Sequence, residues 1–244
     1  MLKNNFPGWL LLLCATVFGC GKAPDVSIEA QAFERGPYSV GSTNMQVAAE
    51  FADIGDASMH AYLLGQPDDS GQARYLADLL EYPDSALISD VPIPDKREIY
   101  GPASGLTLPV VTFLTFPSSA GARQNRYAFP YHDAMFGVFE DMLGAGEAPR
   151  FADPNARYPL IILAHGASAH GIYDVRHAHS LASHGYIVAV VNYGDNRTAS
   201  MDKPYHHVSF LRPLLTKAVL DALLADETFG PRIDTDNIGI TGHS

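Results

Sequence analysis

Cysteine is nearly absent from this chain: two residues in 244, Cys14 and Cys20, both within the first twenty positions. The remainder holds no thiol, which excludes a cysteine nucleophile and a disulfide framework there. Basic residues are also scarce, 16 Lys and Arg against 27 Asp and Glu. A nucleic-acid footprint needs clustered Lys and Arg, so a formal charge of −11 argues against such a partner. The apolar stretch from Trp9 to Phe18 is too short to cross a bilayer of about 30 Å as a helix. No repeat period, coiled-coil heptad or low-complexity tract is visible, and the length suits one domain behind a leader.

That leader is informative. Lys3 followed by the short apolar stretch has the form of a secretory signal. Val17-Phe18-Gly19-Cys20 then resembles a bacterial lipobox, in which the cysteine is lipidated and becomes the new N-terminus. Residues 1–19 are read as a signal peptide, Cys20 as the lipidation site and residues 20–34 as a tether. The resemblance implies export and a lipid anchor in the cell envelope, with Gly21 rather than Asp suiting the outer membrane. Simple secretion and an uncleaved anchor are the alternatives.

Residues 35–244 are expected to form one domain. Tyr38 to Phe51 begins an irregular β-like pattern, and residues 66–100 read as a polar, proline-punctuated insertion. Leu106 to Phe116 predicts a strand stopped by Pro117. Ala120 to Pro154 reads as loop-rich. The pattern then becomes regular. Leu160 to Ala164 and Ile187 to Val191 are unbroken apolar runs, as expected of strands covered on both faces. Tyr173 to Ser183 predicts a helix ended by Gly185, and Leu211, Leu215, Val219 and Leu223 mark one face of a second. Ile238 to Thr241 predicts a third buried strand. Strand, helix, strand, helix, strand of this kind predicts an α/β fold with a mostly parallel sheet and helices on both faces. Ligands of such sheets bind at the carboxyl ends of the strands, where His165 and Ser244 fall.

Gly242-His243-Ser244 matches the first three positions of a G-x-S-x-G nucleophile elbow, in which serine sits on a sharp strand-to-helix turn. Gly166-Ala167-Ser168 also reads Gly-x-Ser, but His170 occupies its second glycine position. Ile238 to Thr241 is a short β-prone run directly before Gly242, after a helix and a turn-rich connector. With Pro159 to Gly166, Leu181 to Ala189 and Arg232 to Ser244, the chain resembles the α/β-hydrolases, most of all the platelet-activating-factor acetylhydrolase and dienelactone-hydrolase-like branch. Gly36 to Gly41 also fits the branch's first strand.

The resemblance implies a serine esterase that works through an acyl-enzyme, with Ser244 as nucleophile. It makes Ala167 an oxyanion-hole donor, His165 and Gly166 the supports of the oxyanion loop, and Gly242 and His243 the elbow. In this fold the catalytic acid and base follow the serine in the chain. Neither Asp195 nor His243 is therefore assigned to them, and His243 is expected to pack or make a local hydrogen bond. The chain is accordingly expected to be the front part of a serine hydrolase and inactive by itself. Short acyl esters, phospholipid-like or polyester, are the implied substrates.

No cofactor is implied. The histidines His165, His170, His177, His179, His184, His206 and His207 invite a metal reading, but His177-x-His179 is poorly spaced for one helix face. No cysteine or glutamate completes a zinc pattern, so no metal site is assigned. Tyr205, His206, His207 and Phe210 are candidates for lining an acyl or leaving-group pocket. A hydrolase-like surface lipoprotein that only binds stays open as an alternative, as do peptidase and thioesterase activities of the same fold.

Overall fold

The β-branched and leucine-rich run before His165 forms a strand because both its faces find apolar cover. A computed structural model describes residues 34–43, 86–128, 135–166, 171–193 and 206–243. In it β6 (Tyr158–Ala164) lies between β7 (Ile187–Asn192) and β8 (Ile233–Gly242), parallel to both. The remaining strands are β1 (Ser39–Ser42), β2 (Leu87–Pro92), β3 (Thr107–Ser118), β4 (Arg123–Ala128) and β5 (Met135–Met142). The order across the sheet is β4-β5-β1-β3-β7-β6-β8, with β2 also paired to β3.

The α/β architecture expected from the sequence is observed, and its sheet is mixed. Strand β3 runs antiparallel to β1, β2 and β7, and β4 runs antiparallel to β5. The parallel part is the β7-β6-β8 block together with the β1–β5 pair. A short helix, α1 (Arg97–Tyr100), follows β2. Helix α2 (Val175–Ser183) links β6 to β7, and α3 (Arg212–Ala225) links β7 to β8. The two helices cover opposite faces. Leu215, Val219 and Leu223 of α3 pack on Leu160, Ile162, Ala189 and Val191. Val175, Ala178 and Ala182 of α2 pack on Leu163, Val188, Val190 and Phe113. Each buried Val, Leu, Ile or Phe among them contributes about 1.5–3 kcal/mol, so the two cores set the register of the central strands.

Helix α2 ends where the sequence puts its stop. Gly185 has φ +102°, a backbone angle open to glycine, and its N–H bonds back to the Ala182 carbonyl at 3.0 Å. The chain ahead of β1 docks on this turn, where the Gly36 N–H donates to Ser183 Oγ at 2.9 Å and the Tyr38 N–H to the Ser183 carbonyl at 3.1 Å.

Four elements depart from the expectations. Residues 120–154, read as loop-rich, contain the β4–β5 hairpin. Its outer strand is so polar (Arg123, Gln124, Asn125, Arg126) that alternation barely registers. The end of the 66–100 segment forms β2, despite Asp90 and the proline at its last position; residues 44–85 lie outside the described residues. Strand β3 continues through Pro117 to Ser118, with Pro117 opposite Val40. Strand β8 begins at Ile233 and is far from buried. Its residues 235–237 loop out of register, because Pro159 faces Asp234 while the next residue, Leu160, faces Ile238. Among the described residues no strand pairs with its outer edge, and Ile240 is 63% exposed.

Candidate active site

The chain steps from β6 to β7 on one side, then returns across β6 to β8 on the other. Strands β6 and β8 are thus adjacent at a point where the connections diverge, and a crevice opens beyond their carboxyl ends. Ala164, His165 and Gly166 come from β6, and Gly242 and His243 from β8. The two ends meet closely. A Cβ on Gly242 would lie 2.6 Å from the Ala164 carbonyl oxygen and 3.1 Å from its Cβ, so only glycine fits there. The His243 N–H bonds to the Ala164 carbonyl at 3.4 Å, and the Gly166 N–H donates to His243 Nε2, also at 3.4 Å.

His165 is buried, and its ring is fixed at both nitrogens. Nε2 accepts the Tyr193 N–H at 3.3 Å, which leaves Nδ1 to carry the proton it donates to the Gly166 carbonyl at 2.9 Å. The hydrogen bonds thus select the neutral Nδ1–H tautomer. A ring held in this way orders the backbone after β6.

Arg212, at the start of α3, is a residue that no sequence motif singled out. Its guanidinium is buried and donates from Nη1 to the His165 carbonyl at 2.6 Å and from Nη2 to the Gly166 carbonyl at 3.3 Å. The guanidinium carbon also lies 4.9 Å from the centre of the Tyr193 ring. The Tyr193 hydroxyl is 2.7 Å from Thr216 Oγ1, one helical turn along α3. A signal was present in the sequence. Positions 212, 215, 216, 219 and 223 form the buried stripe of α3, so periodicity puts this arginine on the inner face.

Between α3 and the ends of β6 and β8 lies a cavity of about 680 Å³, lined by His165, Tyr193, Arg212, Leu220, Ile240 and His243 among others. That volume falls in the range of small-molecule pockets, about 300–1,000 Å³. Phe210 is exposed and does not line it. The side chains of His206 and His207, and all of Tyr205, lie outside the described residues.

On the other flank His243 Nδ1 stands 3.8 Å from Asp174 Oδ1, in the turn before α2. Burial pushes the Asp174 carboxyl above its ordinary value, and His243 and His177 only partly offset this. Among the described residues no three His, Cys, Asp or Glu side chains are grouped as an ion would require. None of the helices described is long and apolar enough to cross a membrane. Ser244, Ala167, His170, Asp195 and Cys20 all lie outside the described residues.

The chain thus has a mixed α/β sheet with a central parallel block, an antiparallel flank and helices on both faces. The family described as platelet-activating factor acetylhydrolase, isoform II, matches residues 138–207. That segment holds β6, α2 and β7. No curated protein matches the chain. Among solved structures, a ferulic acid esterase from Streptomyces cinnamoneus is similar at 20% identity and a TM-score of 0.48. The alignment covers 88% of this chain and 54% of the esterase, so the chain spans about half of that protein's length.

Proposed function

We propose that the protein is a serine carboxylesterase that cleaves short acyl esters through an acyl-enzyme, with Ser244 as nucleophile. The observation that carries the reading is the contact between Gly242 and Ala164, a fit that admits no side chain and draws Gly242-His243 against His165-Gly166. The similarity of residues 138–207 to an acetylhydrolase family supports the same reaction class.

In the proposed reaction Ser244 Oγ bonds to the acyl carbon while its proton passes to a general base. The carbonyl oxygen takes up the electron pair and is held by backbone N–H donors, among them that of Ala167. The C–O bond to the alcohol then breaks, and the alcohol departs with the base's proton. Water repeats the sequence on the acyl-enzyme and releases the acid. By resemblance the base and its acid partner are sought after Ser244 in the chain. Phospholipid-like esters and polyesters are the candidate substrates, and the apolar side of the cavity suits an acyl chain.

The test uses the full-length protein with a short p-nitrophenyl ester and a fluorophosphonate probe. Ser244→Ala is expected to abolish both turnover and labelling while leaving the thermal transition in place. Labelling that survives this change and disappears in Ser168→Ala would assign the nucleophile to the other Gly-x-Ser segment.

Attachment to the cell envelope through a lipidated Cys20 belongs to the same proposal. Two or more acyl chains are needed for stable anchoring, and a lipoprotein cysteine supplies them. Cys20→Ala is expected to move the protein from the membrane to the soluble fraction, and unchanged membrane retention would overturn the anchor.

A further inference from the structure

The parallel ladder between β6 and β8 is closed by a side chain. In such a ladder a residue donates to the carbonyl one position before its partner and accepts from the N–H one position after it. One step beyond the last pair, Ala164 with Gly242, His243 comes opposite His165. Its N–H bonds to the Ala164 carbonyl at 3.4 Å, as the ladder requires. The second bond goes to the ring, where the Gly166 N–H donates to His243 Nε2 at 3.4 Å. The imidazole thus stands in for a main-chain carbonyl and satisfies the donor after β6.

Both sides of this contact are held. Arg212 Nη1 donates to the His165 carbonyl at 2.6 Å, and a planar trans peptide turns its N–H the opposite way, toward His243. Because Nε2 accepts, the proton of the neutral ring is on Nδ1, which faces Asp174 Oδ1 at 3.8 Å. The ring is half-exposed, so protons reach it from solvent. A second proton makes Nε2 a donor aimed at another donor.

We propose that His243 is a proton-sensitive positioning residue: its neutral ring closes the β6–β8 ladder, and its protonation opens it. This rests on the esterase reading, in which the next residue, Ser244, is the nucleophile and takes its place from the end of β8. Among the described residues the ionisable groups about the ring come from three sides. They are Asp174 and His177 on the α2 side, His165 after β6, and Arg212 and Lys217 of α3 across the cavity. The Asp174 carboxylate favours a proton on Nδ1 in either charge state of the ring, so Nε2 is the nitrogen that switches.

The experiment follows protection of the Gly166 amide against hydrogen exchange in the full-length protein, corrected for the intrinsic pH dependence of exchange. The series runs from about pH 8 to about pH 5, where histidine side chains gain their proton. One neutral hydrogen bond is worth roughly 2–12-fold in an opening equilibrium, and protection should fall by that factor on acidification. His243→Gln puts an amide oxygen near the place of Nε2 and should hold protection steady across the series. His243→Phe fills the space without an acceptor and should already lack the protection at the alkaline end. A misplacement of 1 Å can cost about 100-fold in rate, so His243→Phe is expected to lower kcat for p-nitrophenyl acetate roughly 3–30-fold, with KM within about threefold. His243→Gln should recover most of that loss. Protection that ignores pH in the unmodified protein would overturn the proposal, as would full protection in His243→Phe. A fall that persists in His243→Gln would belong to another histidine and overturn it too, and lost protection with kcat intact would remove the positioning role. The pH series needs no substitution, so it decides even where a variant fails to fold. If the unmodified protein and Ser244→Ala are equally inactive, the esterase reading falls, while exchange at Gly166 still decides the bridge.

Discussion

Two buried carboxylates in this chain respond to burial in opposite ways. Glu140, on β5, is fully buried, yet its carboxyl is held below its ordinary value. Burial alone would raise it, and contacts from His179, Ser42 and Tyr127 more than offset that cost. Ser42 Oγ donates to Oε2 at 2.6 Å, Tyr127 OH to Oε1 at 2.7 Å and Asn125 Nδ2 to Oε1 at 3.0 Å. His179 Nε2 lies 2.8 Å from Oε2. Asp174 is a little less buried, and its Oδ2 has no hydrogen-bond partner. Its carboxyl is pushed up. Donors rather than depth decide the sign. The satisfied carboxylate ties β1, β4, β5 and α2 together, far along the sheet from the crevice, while the strained one stands at the rim of the candidate site.

The largest expected effect is therefore on Glu140. Glu140→Gln puts an amide where one carboxylate oxygen accepts from Ser42 or from Tyr127 and Asn125, and is expected to lower stability by about 1–3 kcal/mol, the cost of leaving a buried polar group unsatisfied. A folded-state value below that of the unfolded chain means stability that is present above about pH 4 and lost as pH falls through the folded value. The gap between the urea midpoints of the two proteins should thus narrow as pH falls below about 4. Ester turnover per folded molecule should not change. A variant as stable as the parent at pH 7 would remove the contrast with Asp174.

The sequence showed one of these environments poorly and the other hardly at all. The central strands were legible because Leu160 to Ala164 and Ile187 to Val191 are apolar without interruption, a pattern that only double-sided cover permits. The β4–β5 hairpin was not, since its polar outer strand looks like loop and Glu140 breaks an otherwise alternating run. What makes Glu140 tolerable lies on three other elements, 13, 39 and 98 residues away, and no local pattern reports such distances. At the site, Gly242-His243 and His165-Gly166 were visible as motifs. Arg212 was legible only as a position on the buried stripe of α3, because backbone carbonyls rather than acidic side chains receive its guanidinium. The looping out of residues 235–237 was also unseen. There Asp234 Oδ1 accepts the Asp236 N–H at 3.2 Å, a turn interaction set inside a strand.

Asp174 supplies the smallest effect and the sharper test of sign. Its folded-state value lies above that of the unfolded chain, so its contribution to stability is greatest below about pH 4 and is lost as pH rises through the folded value. At pH 8 the ionised carboxylate is therefore a cost. Asp174→Asn removes that charge, and gives up only a 3.8 Å approach to His243, too long for a hydrogen bond. The variant is expected to melt about 1–3 °C higher than the parent at pH 8, equivalent to roughly 0.5–1 kcal/mol for a domain of this size. The two melting curves should converge as pH falls below about 4, where both side chains become uncharged in the folded and the unfolded chain. A parent protein that melts higher at pH 8 would mean that the contact with His243 outweighs the desolvation of Asp174. The carboxylate at the rim would then be held by its partner, as Glu140 is.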